Sequence, residues 1–145
     1  MCAGITVYSP IKESKVQKGD KVAVIGIGGL GHMALQYLQL IGCDVTGYDI
    51  VDKSDVCKKY NAHFIKVDAE HNNFEDKRTF DFLLSTVPYS YNLKEYVELV
   101  KRYGKIAIVG LPKFQDMPEL SIKDLIFEGG NITIMGSQIG GIDLT

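Results

Sequence analysis

The sequence predicts an α/β domain with a doubly wound sheet of six parallel strands. Short apolar runs alternate with segments of helical spacing along most of the 145 residues, which is typical of a parallel sheet covered by helices on both faces. A glycine-rich turn, Gly26 to Gly31, lies between the first such run and the first long helical pattern. This layout is typical of a β-α-β unit of the Rossmann fold.

Strands and helices alternate regularly in the first half of the chain. Gly42 is the expected end of the first helix, and Asn61 is a plausible left-handed cap for the second. The predicted strands are 22–26, 44–49 and 63–67, and the predicted helices are 29–41 and 53–60.

The second half repeats the alternation, after a polar stretch, 68–79, that we interpret as a short helix or a loop. The predicted strands are 80–86, 105–109 and 131–135, and a helix is predicted for 91–102. Pro88 breaks the fourth strand. Ser121 and Asp124 resemble a capping box for a short helix through Phe127. Six strands with crossover helices fit the order 3-2-1-4-5-6.

Length and composition indicate one globular domain over residues 1–145 with a hydrophobic content of 46% and a net charge of −2. Without a basic stripe or a long apolar run, we expect neither a nucleic-acid partner nor a membrane span. The three cysteines lack CxxC spacing, and no cationic apolar leader precedes the first element, so we expect a cytoplasmic location.

Each glycine of the turn has a mechanical reason. Gly26 makes the strand-to-helix turn, Gly28 lets the backbone approach a pyrophosphate, and Gly31 lets helix and strand pack closely. We expect a β-branched side chain at Gly28 to enter the phosphate site and to resist the local backbone geometry. Asp49 ends the second apolar run, 18 residues after Gly31. At this position of a dinucleotide-binding β-α-β unit, an acidic side chain accepts a hydrogen bond from a ribose hydroxyl.

Less specific interpretations of these residues stay open. The glycine turn could merely pack two elements, and Asp49 could cap the following helix. His32 lies in the first turn of the first helix and could contact a phosphate or stay in solvent. His63 and His71 have no partner at metal spacing and are interpreted as surface residues.

Four segments in the right order give the chain a family resemblance. Cys2 to Pro10, Gly26 to Gln36, Gly104 to Pro112 and Gly136 to Gly141 resemble the cofactor domain of a zinc-dependent medium-chain alcohol dehydrogenase. The cinnamyl-alcohol-dehydrogenase-like branch is the most similar one. The resemblance covers nearly the whole chain.

The resemblance implies a set of cofactor contacts. The pyrophosphate would lie on the turn formed by Gly26, Gly28, Gly29, Leu30 and Gly31. The adenosine ribose would contact Asp49 and Lys53. The nicotinamide half would lie near Thr6, Thr86, Val87, Gly110, Leu111, Ser137, Gln138 and Ile139.

The resemblance also implies what the chain does not supply. Cys2 matches one ligand of the catalytic zinc, whereas the other ligands, the proton relay and the structural zinc lobe belong to a catalytic domain that is absent here. We therefore expect a fragment with no catalytic residue of its own, inactive alone. In the whole enzyme, hydride passes between an alcohol or aldehyde and NAD(P), and zinc is bound only there.

Asp49 departs from the cinnamyl branch, which usually has a small polar residue at this position and uses NADP; the acid favours NAD. A stand-alone, non-catalytic NAD(H)-sensing module is the alternative function, and a methyltransferase is a weaker one. Strand six, with Ile132, Ile134 and Met135, is a possible homodimer edge, as in the resembled family.

Overall fold

The computed structural model describes residues 2–68, 77–87, 93–110, 122–124 and 131–136. Five helices and six strands lie within these residues: α1 Cys2–Glu13, β1 Lys21–Ile25, α2 Gly29–Ile41, β2 Asp44–Asp49, α3 Ser54–Lys59, β3 His63–Lys66, β4 Phe80–Ser85, α4 Leu93–Leu99, β5 Val100–Ile108, α5 Ile122–Asp124 and β6 Thr133–Gly136. In this part of the chain, no helix is both long enough and apolar enough to cross a membrane.

The strands form one sheet in the order β3-β2-β1-β4-β5-β6. Every neighbouring pair is parallel. Val22 at the centre of the sheet lies opposite Val45 of β2 on one side and Phe82 of β4 on the other. The predicted fold class and strand order are thus confirmed.

The apolar core lies on both faces of the sheet because side chains alternate along each strand. Val22 and Val24 face α1 and α2, where they join a cluster with Leu35 and Leu38. Ala23 and Ile25 face the other way and join a cluster with α4, to which Tyr96 and Val97 belong. A strand buried on both faces must be apolar at every position, which explains the unbroken run from Val22 to Ile25.

The predicted helix ends are confirmed at two positions. Gly42 has φ 93°, and its N–H group lies 3.0 Å and 3.1 Å from the carbonyl oxygens of Leu38 and Gln39. Asn61 follows α3 with φ 56°. Both are left-handed conformations, which glycine and asparagine adopt more readily than other residues.

The prediction was wrong at the junction of α4 and β5. The helix ends at Leu99 rather than at Arg102, and β5 begins at Val100 rather than at Lys105. The cause lies in the segment before β4. The N–H group of Thr79 donates a hydrogen bond to the Leu99 carbonyl at 2.9 Å. That bond draws the segment into the sheet, and a register shift follows where Phe80 pairs with Val100.

Smaller differences have local causes. β6 begins at Thr133, two residues later than predicted, because Asn131 has φ 64° and cannot continue a strand. β4 ends at Ser85, one residue before the predicted end. The stretch 69–76, Pro88, and the capping box beyond Ile122–Asp124 lie outside the described residues.

Helix α1 was not predicted from residue spacing. Val7 and Ile11, one helical turn apart, are buried against the α2 face. At the end of the helix, Lys105 of β5 donates from its Nζ to the Ser14 carbonyl oxygen at 3.1 Å. α1 is thus joined to the sheet by apolar contact and by a hydrogen bond.

Candidate dinucleotide-binding site

A cleft of about 400 Å³ opens at the carboxyl ends of β1, β2 and β4. The strand order reverses between β1 and β4, and in open α/β sheets ligands bind at this point. Eight residues proposed from the sequence line it, together with Ile50 and Val51: Gly26, Gly28, Gly29, Leu30, Asp49, Lys53, Thr86 and Val87.

Gly26 makes the turn from β1 towards α2. It has φ 91°, and a Cβ atom there would lie 2.6 Å from Thr86 Oγ1. The Thr86 hydroxyl occupies that space because it donates to the Gly26 carbonyl at 2.7 Å. Both the conformation and the close approach therefore require glycine.

Gly31 lies in the first turn of α2 and faces back towards Gly26. A Cβ atom on Gly31 would overlap the Gly26 carbonyl oxygen. Only glycine lets the helix approach the end of β1 this closely, which is the packing function that the sequence assigned to the third glycine of the motif.

Gly28 and Gly29 border open space. A Cβ atom on either would meet no atom within 4 Å. Gly28 is the N-terminal cap of α2 and makes no side-chain capping bond, so the N–H groups of the first turn remain available to a ligand. With the positive end of the helix dipole, they form a suitable site for a pyrophosphate.

The expected backbone constraint at Gly28 was wrong. Its φ of −91° and ψ of −152° are extended values, which any residue can adopt. Backbone strain therefore gives no reason for glycine at this position, and what the structure shows beside Gly28 is open space.

Asp49 lies at the end of β2, between the glycine turn and the loop that follows β2. Its Oδ2 accepts a hydrogen bond from the Ile27 N–H at 2.8 Å, and its Oδ1 accepts one from the Val51 N–H at 3.1 Å. Each oxygen keeps a further acceptor position for a ribose hydroxyl. Neither bond caps α3, and it is Asp52, just before that helix, whose Oδ1 accepts from the Ser54 N–H at 2.9 Å.

Beside Asp49, Lys53 and two apolar residues form the wall of the cleft. Sequence reasoning missed Ile50 and Val51, although they directly follow the acid at the carboxyl end of a predicted strand. Ile50 is half-buried, and the Val51 side chain is exposed. An apolar surface next to a carboxylate suits a planar ligand group with polar substituents.

Thr86 and Val87 leave β4 on the other side of the turn and are both buried. Gly110 follows β5, and a Cβ atom there would overlap the backbone of Thr86 and Val87. Cys2 and Thr6 lie in α1. Leu111, Ser137, Gln138 and Ile139 lie outside the described residues.

His32 does not line the cleft. Its Nε2 lies 2.9 Å from the Tyr60 hydroxyl, and the centroids of the two rings are 5.2 Å apart. Gln36 donates to the same hydroxyl at 3.2 Å. Of the two open interpretations, the structure favours neither a phosphate contact nor a free ring, since His32 lies against Tyr60, just after α3. His63 is exposed and lies 3.4 Å from Asp44, consistent with a surface residue.

The described residues do not form a metal site. Among them, no group of three histidine, cysteine or acidic side chains comes together. Burial, and then the negative charge of Asp49, raise the pKa of Cys57 to about 11. Burial, and then Asp20, raise the pKa of Cys43 to about 11. Both thiols are therefore protonated near neutral pH in the metal-free protein.

Comparison with known proteins extends these observations. A family model described as zinc-binding dehydrogenase matches residues 29–144. Aldehyde reductase YahK of Escherichia coli (strain K12) is 35% identical over 151 residues, covering 100% of this chain and 41% of that protein. Cinnamyl alcohol dehydrogenase 8 of Arabidopsis thaliana is 35% identical over 149 residues, covering 100% and 40%.

A solved structure gives the same result in three dimensions. CAD from Helicobacter pylori, complexed with NADP(H), superposes with a TM-score of 0.85 at 40% identity; the match covers 99% of this chain and 40% of that one. The chain thus spans about two fifths of the length of the relatives that it matches.

Proposed function

Because this chain belongs to the zinc-binding dehydrogenase family, we propose that it is the dinucleotide-binding domain of a zinc-dependent alcohol dehydrogenase. The whole protein would transfer hydride between an alcohol or aldehyde and NAD(P). One observation carries the proposal: the cleft at the strand-order reversal joins an open glycine turn to an acid, Asp49. A stand-alone sensing module would share this cleft, but family membership favours the dehydrogenase.

The described residues would act by binding and orientation. N–H groups at the start of α2 would hold the pyrophosphate, and Asp49 would accept bonds from the ribose hydroxyls. The nicotinamide, when bound, supplies the hydride acceptor. Thr86 and Val87 would border its half of the cleft, and their burial would hold that wall rigid.

Titration with NADH, followed by nicotinamide fluorescence, tests the binding proposal. We expect a saturable change in fluorescence. S-adenosylmethionine, titrated by calorimetry, serves as the competing ligand, because a methyltransferase would share the strand, glycine and acid layout. Binding of S-adenosylmethionine without binding of NADH would overturn the proposal.

We expect NADH to bind more tightly than NADPH by roughly 10- to 1,000-fold, or about 1.4–4 kcal/mol. A 2′-phosphate would remove one hydroxyl contact with Asp49 and add like-charge repulsion. CAD from Helicobacter pylori, in contrast, is complexed with NADP(H). The ratio of the two affinities therefore shows whether this chain differs from that protein in cofactor preference. Parallel titrations measure the ratio, and Asp49→Ser is expected to reduce it. Equal affinities in the unaltered chain would refute this prediction.

We expect the chain alone to bind no zinc tightly and to oxidise no alcohol. A catalytic zinc needs about three protein ligands. Cys2 alone matches a ligand position, and the described residues bring no three ligating side chains together. Metal analysis after chelator treatment and an NADH-formation assay with simple and aromatic alcohols test this. One zinc retained per chain, or turnover that depends on added zinc, would contradict it.

We further propose that two copies of the chain associate through β6, which lies at an edge of the sheet. Ile134 and Met135 are only half-buried, and neither lysine nor proline interrupts the strand. Light scattering over a concentration series is expected to show a dimer that the exposed-edge variant Thr133→Lys weakens. A monomer at the highest concentration, with or without the change, would count against this interface.

A cytoplasmic location stays a prediction. It is supported by Cys43 and Cys57, which are free cysteines in the described part of the chain. Free thiols suit a reducing compartment. Fractionation of cells that produce the protein would test it.

A further inference from the structure

The two backbone bonds of the Asp49 carboxylate join the loops on either side of it. Ile27 belongs to the glycine turn, and its N–H lies 2.8 Å from Oδ2. Val51 belongs to the loop between β2 and α3, and its N–H lies 3.1 Å from Oδ1. Both loops line the cleft. The carboxylate therefore connects the glycine turn to the loop between β2 and α3 in the absence of any ligand.

We infer that Asp49 is a positioning residue for the glycine turn, in addition to its proposed contact with the ribose. This inference rests on the proposed function, because the turn is positioned for a dinucleotide. A turn held in place before binding loses less conformational freedom when the pyrophosphate arrives, and preorganisation of this kind raises affinity. Asp49 would thereby contribute to binding even of a cofactor that offers it no hydroxyl group.

The chemistry of the side chain explains why an acid suits both functions. A carboxylate has two oxygens with about four acceptor positions, so it can accept both N–H groups and still accept from a ribose. Its bonds to N–H groups are charge-assisted and correspondingly strong. Serine has one oxygen and cannot reach both loops, whereas asparagine keeps one acceptor oxygen and can retain one of the two bonds.

Amide hydrogen exchange in the cofactor-free protein tests the connection directly. In Asp49→Ser, the Ile27 and Val51 amides are expected to exchange roughly 10-fold faster, as the loss of one hydrogen bond at each predicts. Asp81→Asn is the matched control. Asp81 Oδ2 accepts from the Lys21 N–H at 2.9 Å at the opposite end of the sheet, so this variant should leave Ile27 and Val51 unchanged. Unaltered exchange in Asp49→Ser would overturn the inference.

A ligand without ribose hydroxyls separates the two functions of Asp49. Affinity is measured for NADH and for its analogue with a 2′,3′-dideoxy adenosine ribose. If Asp49 positions the turn, Asp49→Ser weakens binding of the analogue by roughly 3- to 10-fold, and Asp49→Asn recovers part of the loss. If Asp49 contacts only the ribose, neither variant changes the affinity for the analogue, and the inference fails.

The two experiments distinguish a failure of the inference from a failure of the proposed function. Exchange rates in the free protein depend on no cofactor. Accelerated exchange together with no NADH binding in the unaltered chain would leave the loop connection intact and refute the proposed function. Thermal unfolding of each variant is compared with that of Asp81→Asn, so that a general loss of stability is recognised.

Discussion

Valine in place of Gly28 is expected to remove saturable NADH binding while the domain stays folded. The backbone at Gly28 is extended, and a new Cβ atom meets nothing within 4 Å, so the fold tolerates the substitution. In the proposed function, the pyrophosphate approaches the start of α2 through the same open space. We expect the affinity to fall at least roughly 1,000-fold, or about 4 kcal/mol.

Fluorescence titration and thermal unfolding together measure the Gly28→Val result. The melting temperature is expected to stay within the range of other exposed substitutions, because no core contact changes. NADH affinity equal to that of the unaltered chain, in a folded Gly28→Val protein, would show that the glycine turn has only a structural function.

Valine in place of Gly31 is expected to have the opposite effect, unfolding the domain rather than blocking the ligand. Its Cβ atom would overlap the Gly26 carbonyl oxygen, and neither backbone can move freely because α2 packs on β1. Forced overpacking against a backbone atom is expected to cost at least about 3 kcal/mol of unfolding free energy. Urea denaturation compares the variant with the unaltered chain.

The pair forms an internal control, since Gly28 and Gly31 belong to the same turn and receive the same side chain. Loss of stability in Gly31→Val but not in Gly28→Val would assign packing to one glycine and ligand space to the other. Equal denaturation midpoints for Gly31→Val and the unaltered chain would show that the turn relaxes, against the tight packing seen here.

Most element positions could be predicted because they depend on local patterns, and the strand order followed from the rule for alternating strands and crossover helices. The run Val22 to Ile25 is apolar at every position since both of its faces are covered, and α2 ends at Gly42 because glycine readily adopts φ 93°. The glycines and the acid of the site could be predicted because their spacing is that of one β-α-β unit: Gly26 makes the turn, Gly31 packs against it, and Asp49 ends β2.

The rest depends on contacts between distant segments. The start of β5 at Val100 is set by bonds from residues before β4, and helical spacing continued past that point. α1 is stabilised by packing on α2 and by Lys105, some ninety positions away in the chain. The bonds of Asp49 to Ile27 and Val51 leave no pattern in the sequence, because backbone N–H groups are donors whatever the residue.

The position of β1 between β2 and β4 has a consequence for how the domain folds. β1 can pair early with β2, which follows it closely, but its other neighbour lies far along the chain, with Val22 opposite Phe82. Closing so long a loop costs chain entropy before the hydrogen bonds between β1 and β4 can offset that cost. Parallel sheets of this kind therefore fold slowly. The central strand thus has one edge open until the second half of the chain has been made, so the nascent domain is exposed to aggregation until β4 arrives.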